Sequence, residues 1–320
     1  MSDIRDVIGQ RIIILDGAMG TMIQSAHLKE SDYTHPVVGL CRGLNDLLNL
    51  TRADVIEDIH RQYIEAGADI ISTNTFNASA ISLADYGMEE YVDEINTAAV
   101  RIARHAASSY DKEVWVAAVL GPTGRTASLS PDVNDAAKRN ITYDELYEAY
   151  SAQVKIFARE GADIILIETV FDSLNAKAAI RAAKDHSQLP IMLSGTISDA
   201  SGRLLSGQTI EAFCDTFSSM GLLSIGLNCA LGASELKPYI KRLSCISPIA
   251  VSSHPNAGLP DGFGSYAQSS EEMATVVEGY MKDGLVNIIG GCCGTTPQYI
   301  KMISTAAKNH PPRPIRPFRF

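Results

Sequence analysis

The sequence predicts a single closed (β/α)8 barrel, a TIM-barrel α/β fold with its active site at the C-terminal ends of the strands. Eight short apolar, β-branched runs alternate with amphipathic segments along 320 residues, a length that such barrels take as one domain. A local repeat marks the same alternation: Glu65-Ala66-Gly67-Ala68-Asp69-Ile70-Ile71 returns as Glu160-Gly161-Ala162-Asp163-Ile164-Ile165, and more loosely at Asp283–Ile289. In each copy a glycine stands where a helix ends and a buried strand begins. The long connections, 25–50, 121–141, 195–207 and 253–268, all follow odd-numbered strands and therefore fall on one face. A doubly wound open sheet is the competing architecture. Against it, Gly17-Ala18-Met19-Gly20 is a poor match to a dinucleotide-binding fingerprint.

Taken in order, the first strand is Ile12–Leu15, and Asp16 ends it. Asp16 suits either the N-cap of a helix over Gly17–Gln24 or a carboxylate of the site. Thr51 with Asp54 predicts the start of the helix that ends near Ala66; the strand Asp69–Thr73 follows, with Asn74 at its tip. The third strand, Val114–Leu120, runs into Gly121-Pro122-Thr123-Gly124-Arg125-Thr126. That loop could hold a carboxylate through backbone N–H groups or Arg125, or could only turn the chain. Thr142 and Glu145 form a capping box for a helix over Tyr143–Arg159, whose Leu146, Tyr150, Val154 and Phe157 share one face. The fourth strand, Asp163–Glu168, ends in a carboxylate. After an apolar run such a group needs a partner or the mouth of a site.

Pro190–Ser194, Leu222–Leu227, Pro248–Ser252 and Val286–Gly290 complete the eight strands, and Pro297 opens the last helix. Asn228 and Cys229 follow the sixth strand, His254 and Asn256 the seventh, Cys292 and Cys293 the eighth. The His254 imidazole suits a structural hydrogen-bonding role better than a ligand role. The proline-rich stretch His310–Phe320 reads as a tail or the start of a linker, giving a barrel over 1–309 and a tail over 310–320.

A formal net charge of −10 argues against nucleic acid as a partner. No 18-residue apolar run and no signal-type N-terminus is present, so neither a membrane span nor secretion is expected. Six scattered cysteines are too few for a disulfide scaffold of this length, which points to a reducing, cytoplasmic setting.

The thiols carry the most chemistry. Cys292 and Cys293 are adjacent within Gly290-Gly291-Cys292-Cys293-Gly294, and the ring that a vicinal disulfide closes is strained. With Cys229 they give three thiols on loops after strands, all at one end of a barrel. Such a set suits Zn²⁺ with a fourth position open, or alternatively three small buried packing residues. Asn256 is a candidate fourth ligand in the absence of substrate. Cys41, Cys214 and Cys245 fall on a long loop, inside a helical pattern and beyond one, where packing is the expected role for the last two. Three thiolates make zinc a poor Lewis acid toward carbonyls but leave a fourth sulfur ligand both deprotonated and electron-rich. The reaction class this implies is alkyl transfer to a thiol.

Several stretches together resemble the zinc-dependent homocysteine S-methyltransferases: Leu15-Asp16-Gly17-Ala18-Met19-Gly20-Thr21-Met22, Asn74-Thr75-Phe76-Asn77, Gly226-Leu227-Asn228-Cys229 and Gly290–Thr295. Within that family Gly121–Asp135, Gly195–Arg203 and His254–Pro260 are similar to the homocysteine-binding module of cobalamin-dependent methionine synthase. The resemblance runs from about residue 8 to 310. It implies a barrel with Zn²⁺ on Cys229, Cys292 and Cys293 and with L-homocysteine as substrate. The amino group would lie at Glu168 and Asp16, and Gly17, Asn228 and the loop at Gly121 would hold the rest. The implied donor is methylcobalamin on another module or partner chain that also handles folate. Two other readings stay open: a small onium donor such as S-methylmethionine or betaine, and a homocysteine-binding module without turnover of its own. A closed structural zinc site is the remaining alternative.

Overall fold

The computed structural model describes residues 2–198, 201–260 and 266–315. Asp199 and Ala200 of the Gly195–Arg203 stretch, residues 261–265 of the seventh connection and 316–320 of the tail lie outside the described residues.

Among the described residues eight parallel strands form one sheet: β1 Ile13–Ile14, β2 Ile70–Ser72, β3 Trp115–Leu120, β4 Ile164–Val170, β5 Ile191–Gly195, β6 Ser224–Gly232, β7 Ala250–Asn256 and β8 Ile288–Ile289. A long helix follows each in turn: α1 Ala53–Ala66, α2 Val92–Ser108, α3 Tyr143–Arg159, α4 Ser173–His186, α5 Ile210–Phe217, α6 Ala233–Ile246, α7 Ser270–Lys282 and α8 Pro297–Ala307. Strands β2 to β8 are neighbours in chain order, and β1 pairs with β8 through Ile13↔Ile288 and Ile14↔Ile289. A parallel bridge between Leu15 and Ile70 closes the ring, with Asp69 N donating to Ile14 O at 2.7 Å and Asp16 N to Ile70 O at 3.0 Å. The architecture is the (β/α)8 barrel that the alternation predicts.

Strand alternation sorts the core into two layers. Ile13, Leu15, Ile70, Trp115, Val119 and Leu166 fill the barrel's interior. Ile14, Ile71, Val116, Ile165, Leu193 and Ile225 face the other way, into the layer shared with the helices. Gly67, Gly161 and Gly284 take φ of 108°, 80° and 61° at the helix-to-strand corners, where a side chain would be strained. The predicted capping box on α3 is present: Thr142 Oγ1 accepts from Glu145 N, and Glu145 Oε2 from Thr142 N.

Other local expectations are corrected. Thr51 does not cap α1; it ends a short helix, Leu48–Thr51, and its hydroxyl donates to Asp32 O at 2.6 Å. Arg52 enters α1 in its place and pairs with Asp54 at 2.8 Å. Asp16 is no N-cap either. The first short helix after β1 is Met19–Ser25, entered from Ala18 without a side-chain cap. Strands β6 and β7 run further than predicted, so Asn228, Cys229, His254 and Asn256 lie within them rather than on the loops beyond. The ladder there continues across an irregularity, Asn228↔His254 and then Gly232↔Asn256, which hydrophobic patterning does not reveal. Cys214 is buried as expected in α5, whereas Cys245, expected to pack, is exposed on α6.

At the opposite end of the barrel, residues 310–315 lie against it. Arg313 is buried, its guanidinium donating to the carbonyls of Ser244 and Ile249 at 3.1 and 3.0 Å, beyond the C-terminal end of α6. A cation suits that end of a helix. Its backbone is tied to the barrel by Arg313 N to Val286 O and by Asn287 Nδ2 to Arg313 O.

Candidate metal and substrate site

The C-terminal mouth of the barrel holds a cavity of about 610 Å³. Asp16, Gly17, Glu168, Cys229, Cys292 and Cys293 all line it, so four different strand ends meet there.

Each cysteine reaches the cavity by a local device. Cys229 follows Ile225 and Leu227, which face the helix layer, and plain alternation would send it the same way. Its φ of 59°, with 56° at Ala230, turns the strand inside a bulge. Cys292 and Cys293 sit on the turn after β8, fastened to β7 by Cys292 N to Pro255 O and Ala257 N to Cys293 O. Thr295 Oγ1 braces the turn, donating to Cys292 O at 2.7 Å and accepting from Ala18 N at 3.2 Å.

The three sulfurs lie within 4.8 Å of one another, and Cys229 Sγ is 3.7 Å from Cys293 Sγ. Tetrahedral Zn²⁺ with sulfur at about 2.3 Å separates its ligand sulfurs by roughly 3.8 Å, so the spacing fits that ion. The nearby thiols of Cys229 and Cys292 hold the Cys293 thiol well below its usual value, while those of Cys229 and Cys293 push Cys292 well above it.

Beside the thiol turn, whose Gly291 N donates to Asp16 O at 3.1 Å, the Asp16 carboxylate accepts from Ser72 N at 2.7 Å and from Ser72 Oγ at 2.9 Å. Burial outweighs those bonds and raises its carboxyl to about 7. Glu168 is raised further, to about 8, by burial and then by the negative charges of Asp16 and Cys293. His254 Nδ1 is 3.8 Å from Glu168 Oε2, too long for a hydrogen bond, and burial pushes the imidazole down to about 3. The two are neighbours and not an ion pair, and His254 Nε2 has no hydrogen-bond partner.

The remaining predicted residues fall near the cavity in different ways. Gly17 lines it, and a Cβ there would meet Tyr63 and Thr295 at 2.8 Å. Asn228 is fully buried, with its amide committed to Thr169 rather than to the cavity. Gly121 stands behind Glu168, lining a separate void of about 10 Å³, and its carbonyl accepts from Tyr150 Oη at 3.2 Å. Arg125 points to Asp85 at 3.7 Å, and its carbonyl is held by Thr123 and Asn175, which favours the turn-forming role for this loop. Asn256 is buried outside the cavity lining, and its Oδ1 has no hydrogen-bond partner. Cys41 is buried near the hairpin Thr34–Leu40, outside the cavity lining.

Sequence reasoning missed three contributors. Tyr266 lines the cavity and packs on Gly294 beside Cys293, but nothing in its neighbourhood's pattern distinguishes it. Asp46, raised to about 7 by burial, also lines the cavity and accepts from Asn77 N at 2.8 Å. Its only signal was an acidic residue between Leu44 and Leu47-Leu48. Ser72, the anchor of Asp16, had no signal.

Three thiols and the buried carboxyls of Asp16, Asp46 and Glu168 thus line the mouth of one parallel barrel, a donor set that could hold a soft cation beside a polar small molecule. The chain matches the homocysteine S-methyltransferase family over residues 13–307, and it belongs to that family. Membership supports methyl transfer to homocysteine as its reaction. The metallated form of the homocysteine methyltransferase MmuM from Escherichia coli superposes with a TM-score of 0.76 at 19% identity, over 95% of this chain and 99% of that one. Its oxidized form gives 0.77 at the same identity and coverage. The apo form gives 0.68 at 18%, over 93% and 96%. At that identity the likeness establishes a shared fold. Among the described residues no helix is long and apolar enough to cross a membrane.

Proposed function

We propose that this chain methylates the sulfur of L-homocysteine to give methionine, with Zn²⁺ held by Cys229, Cys292 and Cys293. Methylcobalamin, carried by a separate module or partner chain, is the proposed donor. The observation that carries the reading is the convergence of three sulfurs within 4.8 Å with the buried carboxyls of Asp16 and Glu168 in one cavity. Zinc bound by three thiolates favours the ionised form of a fourth sulfur ligand while leaving it a good nucleophile.

The chain's own groups do the rest. Glu168 and Asp16 receive the substrate's ammonium; both are raised toward neutrality, so the empty pair holds a proton that the arriving cation displaces. Ser72 keeps the Asp16 carboxylate fixed, which limits the reorganisation needed on binding. Tyr266 packs on Gly294 and so restrains the turn that carries Cys293. Asn256 Oδ1 would fill the open ligand position until substrate arrives. Asn45, Asp46, Asn74 and Phe76, which also line the cavity, are left for the donor.

The likeness of Ala127–Asn140 and Thr196–Ser206 to methionine synthase supports the corrinoid donor. One observation favours a small onium donor instead: the buried carboxyl of Asp46 would suit a sulfonium or quaternary ammonium. The deciding test is methionine formation by the zinc-loaded chain with L-homocysteine and free methylcobalamin, S-methylmethionine or betaine in turn. Turnover with methylcobalamin that stops on chelation supports the proposal. Turnover only with an onium compound overturns the donor. Homocysteine binding without turnover from any free donor leaves a loading module.

A further inference from the structure

Strands β4 and β6 are both irregular where they reach the cavity, and one side chain joins the two irregularities. On β4, Ile167 pairs with Leu193 and Val170 with Gly195, so Glu168 and Thr169 occupy a bulge carrying one residue more than its partner strand. On β6, Cys229, Ala230 and Leu231 fill the longer gap between Asn228 and Gly232. Thr169 has φ of 55°, a left-handed conformation that is unfavourable for any β-branched residue and persists only where its surroundings impose it.

Asn228 supplies what imposes it. Its Oδ1 accepts from Thr169 N at 3.0 Å and its Nδ2 donates to Thr169 Oγ1 at 2.9 Å, so one amide grips the residue's backbone and its hydroxyl together. Asn228 is itself held, its carbonyl accepting from Thr196 Oγ1 at 3.0 Å, while Thr196 N donates to Val170 O beyond the bulge. The same Nδ2 lies 3.9 Å from Cys292 Sγ. The amide therefore sits between the carboxylate side of the cavity and the thiol side.

We propose that Asn228 is a positioning residue that locks Thr169 in its left-handed conformation and thereby fixes the Glu168 carboxylate toward the substrate's amino group. This goes beyond the reading of Glu168 as the ammonium site and rests on it. Without the clamp, Thr169 relaxes to an extended conformation, the bulge opens, and Glu168 loses its fixed direction.

The test is calorimetric titration of L-homocysteine into the zinc-loaded full chain, with zinc stoichiometry measured on every variant. Asn228→Ala weakens homocysteine about tenfold or more, as expected for two lost hydrogen bonds, with one zinc per chain retained. Thr169→Gly takes the left-handed conformation without penalty, so Asn228→Ala made on top of it costs at most about threefold. Losses that multiply in the double variant overturn the clamp, because Asn228 would then act other than through Thr169. Loss of zinc in Asn228→Ala also overturns it, assigning the amide to Cys292. Should Asn228→Ala not fold, Thr169→Val removes only the hydroxyl half of the grip and weakens binding about fivefold; unchanged affinity there refutes the proposal. Glu168→Gln separates the two levels. If it binds as tightly as the parent, the ammonium reading fails. If it weakens while Asn228→Ala stays tight, the clamp alone fails.

Discussion

His60 gives the structure's sharpest statement about pH. It lies on α1, which packs against α2 and α8, is fully buried, and neither ring nitrogen has a hydrogen-bond partner. Burial pushes its imidazole down to about 4, against a modest upward pull from Glu57, which is itself engaged with Arg61 and His105. An unfolded histidine titrates near 6.5, so the unfolded chain takes up a proton that the folded chain refuses. The stability this group supports is intact above about pH 6.5 and is lost as pH falls toward 4. Between pH 7 and pH 5 the linkage amounts to about 2 kcal/mol. A chain of this length has an unfolding entropy of roughly 0.7 kcal/mol/K, so the melting temperature should fall by about 3 °C from this group alone. Replacing His60 with Leu keeps an apolar side chain of similar bulk and removes the titration. Calorimetric melts of both proteins at pH 7 and pH 5 make the comparison, since every other titrating group is shared. The parent should lose about 3 °C more than His60→Leu. Parallel losses would refute the reasoning, because they would mean that His60 is protonated, or hydrated, in the folded state.

Three further outcomes are expected. Cys293→Ser should lower bound zinc well below one per chain while the circular dichroism of the barrel is kept; full metal content would remove Cys293 from the ligand set. Gly121→Ala would put a Cβ 2.1 Å from the carbonyl oxygen of Phe76. Neither backbone can yield cheaply there, so a loss of about 1–3 kcal/mol, some 2–4 °C in a thermal melt, should appear together with weaker homocysteine binding. Arg313→Ala strands the buried carbonyls of Ser244 and Ile249. It should cost about 1–3 kcal/mol in denaturant unfolding, and an unchanged midpoint would show that the barrel does not depend on the segment after residue 309.

Legibility followed the physics of each feature. All eight strands could be read because parallel strands buried on both faces are apolar runs, and Gly67, Gly161 and Gly284 punctuate them where helices end. Strand ends were less certain, since β6 and β7 extend through polar residues that hydrophobicity cannot assign. The Thr51 cap failed for a tertiary reason: its hydroxyl is drawn to Asp32, which leaves α1 to start from Arg52. Asp16 turned out to be committed to Ser72, a partner separated from it by a full βα unit.

In the site, sequence could show which residue types were present but not how the backbone turns them inward. Cys229 has the wrong strand parity for the cavity, and only its left-handed φ brings its sulfur to Cys293. Glu168 has the right parity, yet it stands beside a threonine in a conformation that its own sequence disfavours. Both deviations occur at bulges, and both adjoin Asn228. A local preference overridden twice within one small volume needs a source of stabilisation close by, and the two-pronged amide of Asn228 is the one that the geometry provides. Departures from local rule therefore locate the site as surely as its reactive groups do. They also explain why a residue first read as touching substrate can matter by holding its neighbour instead.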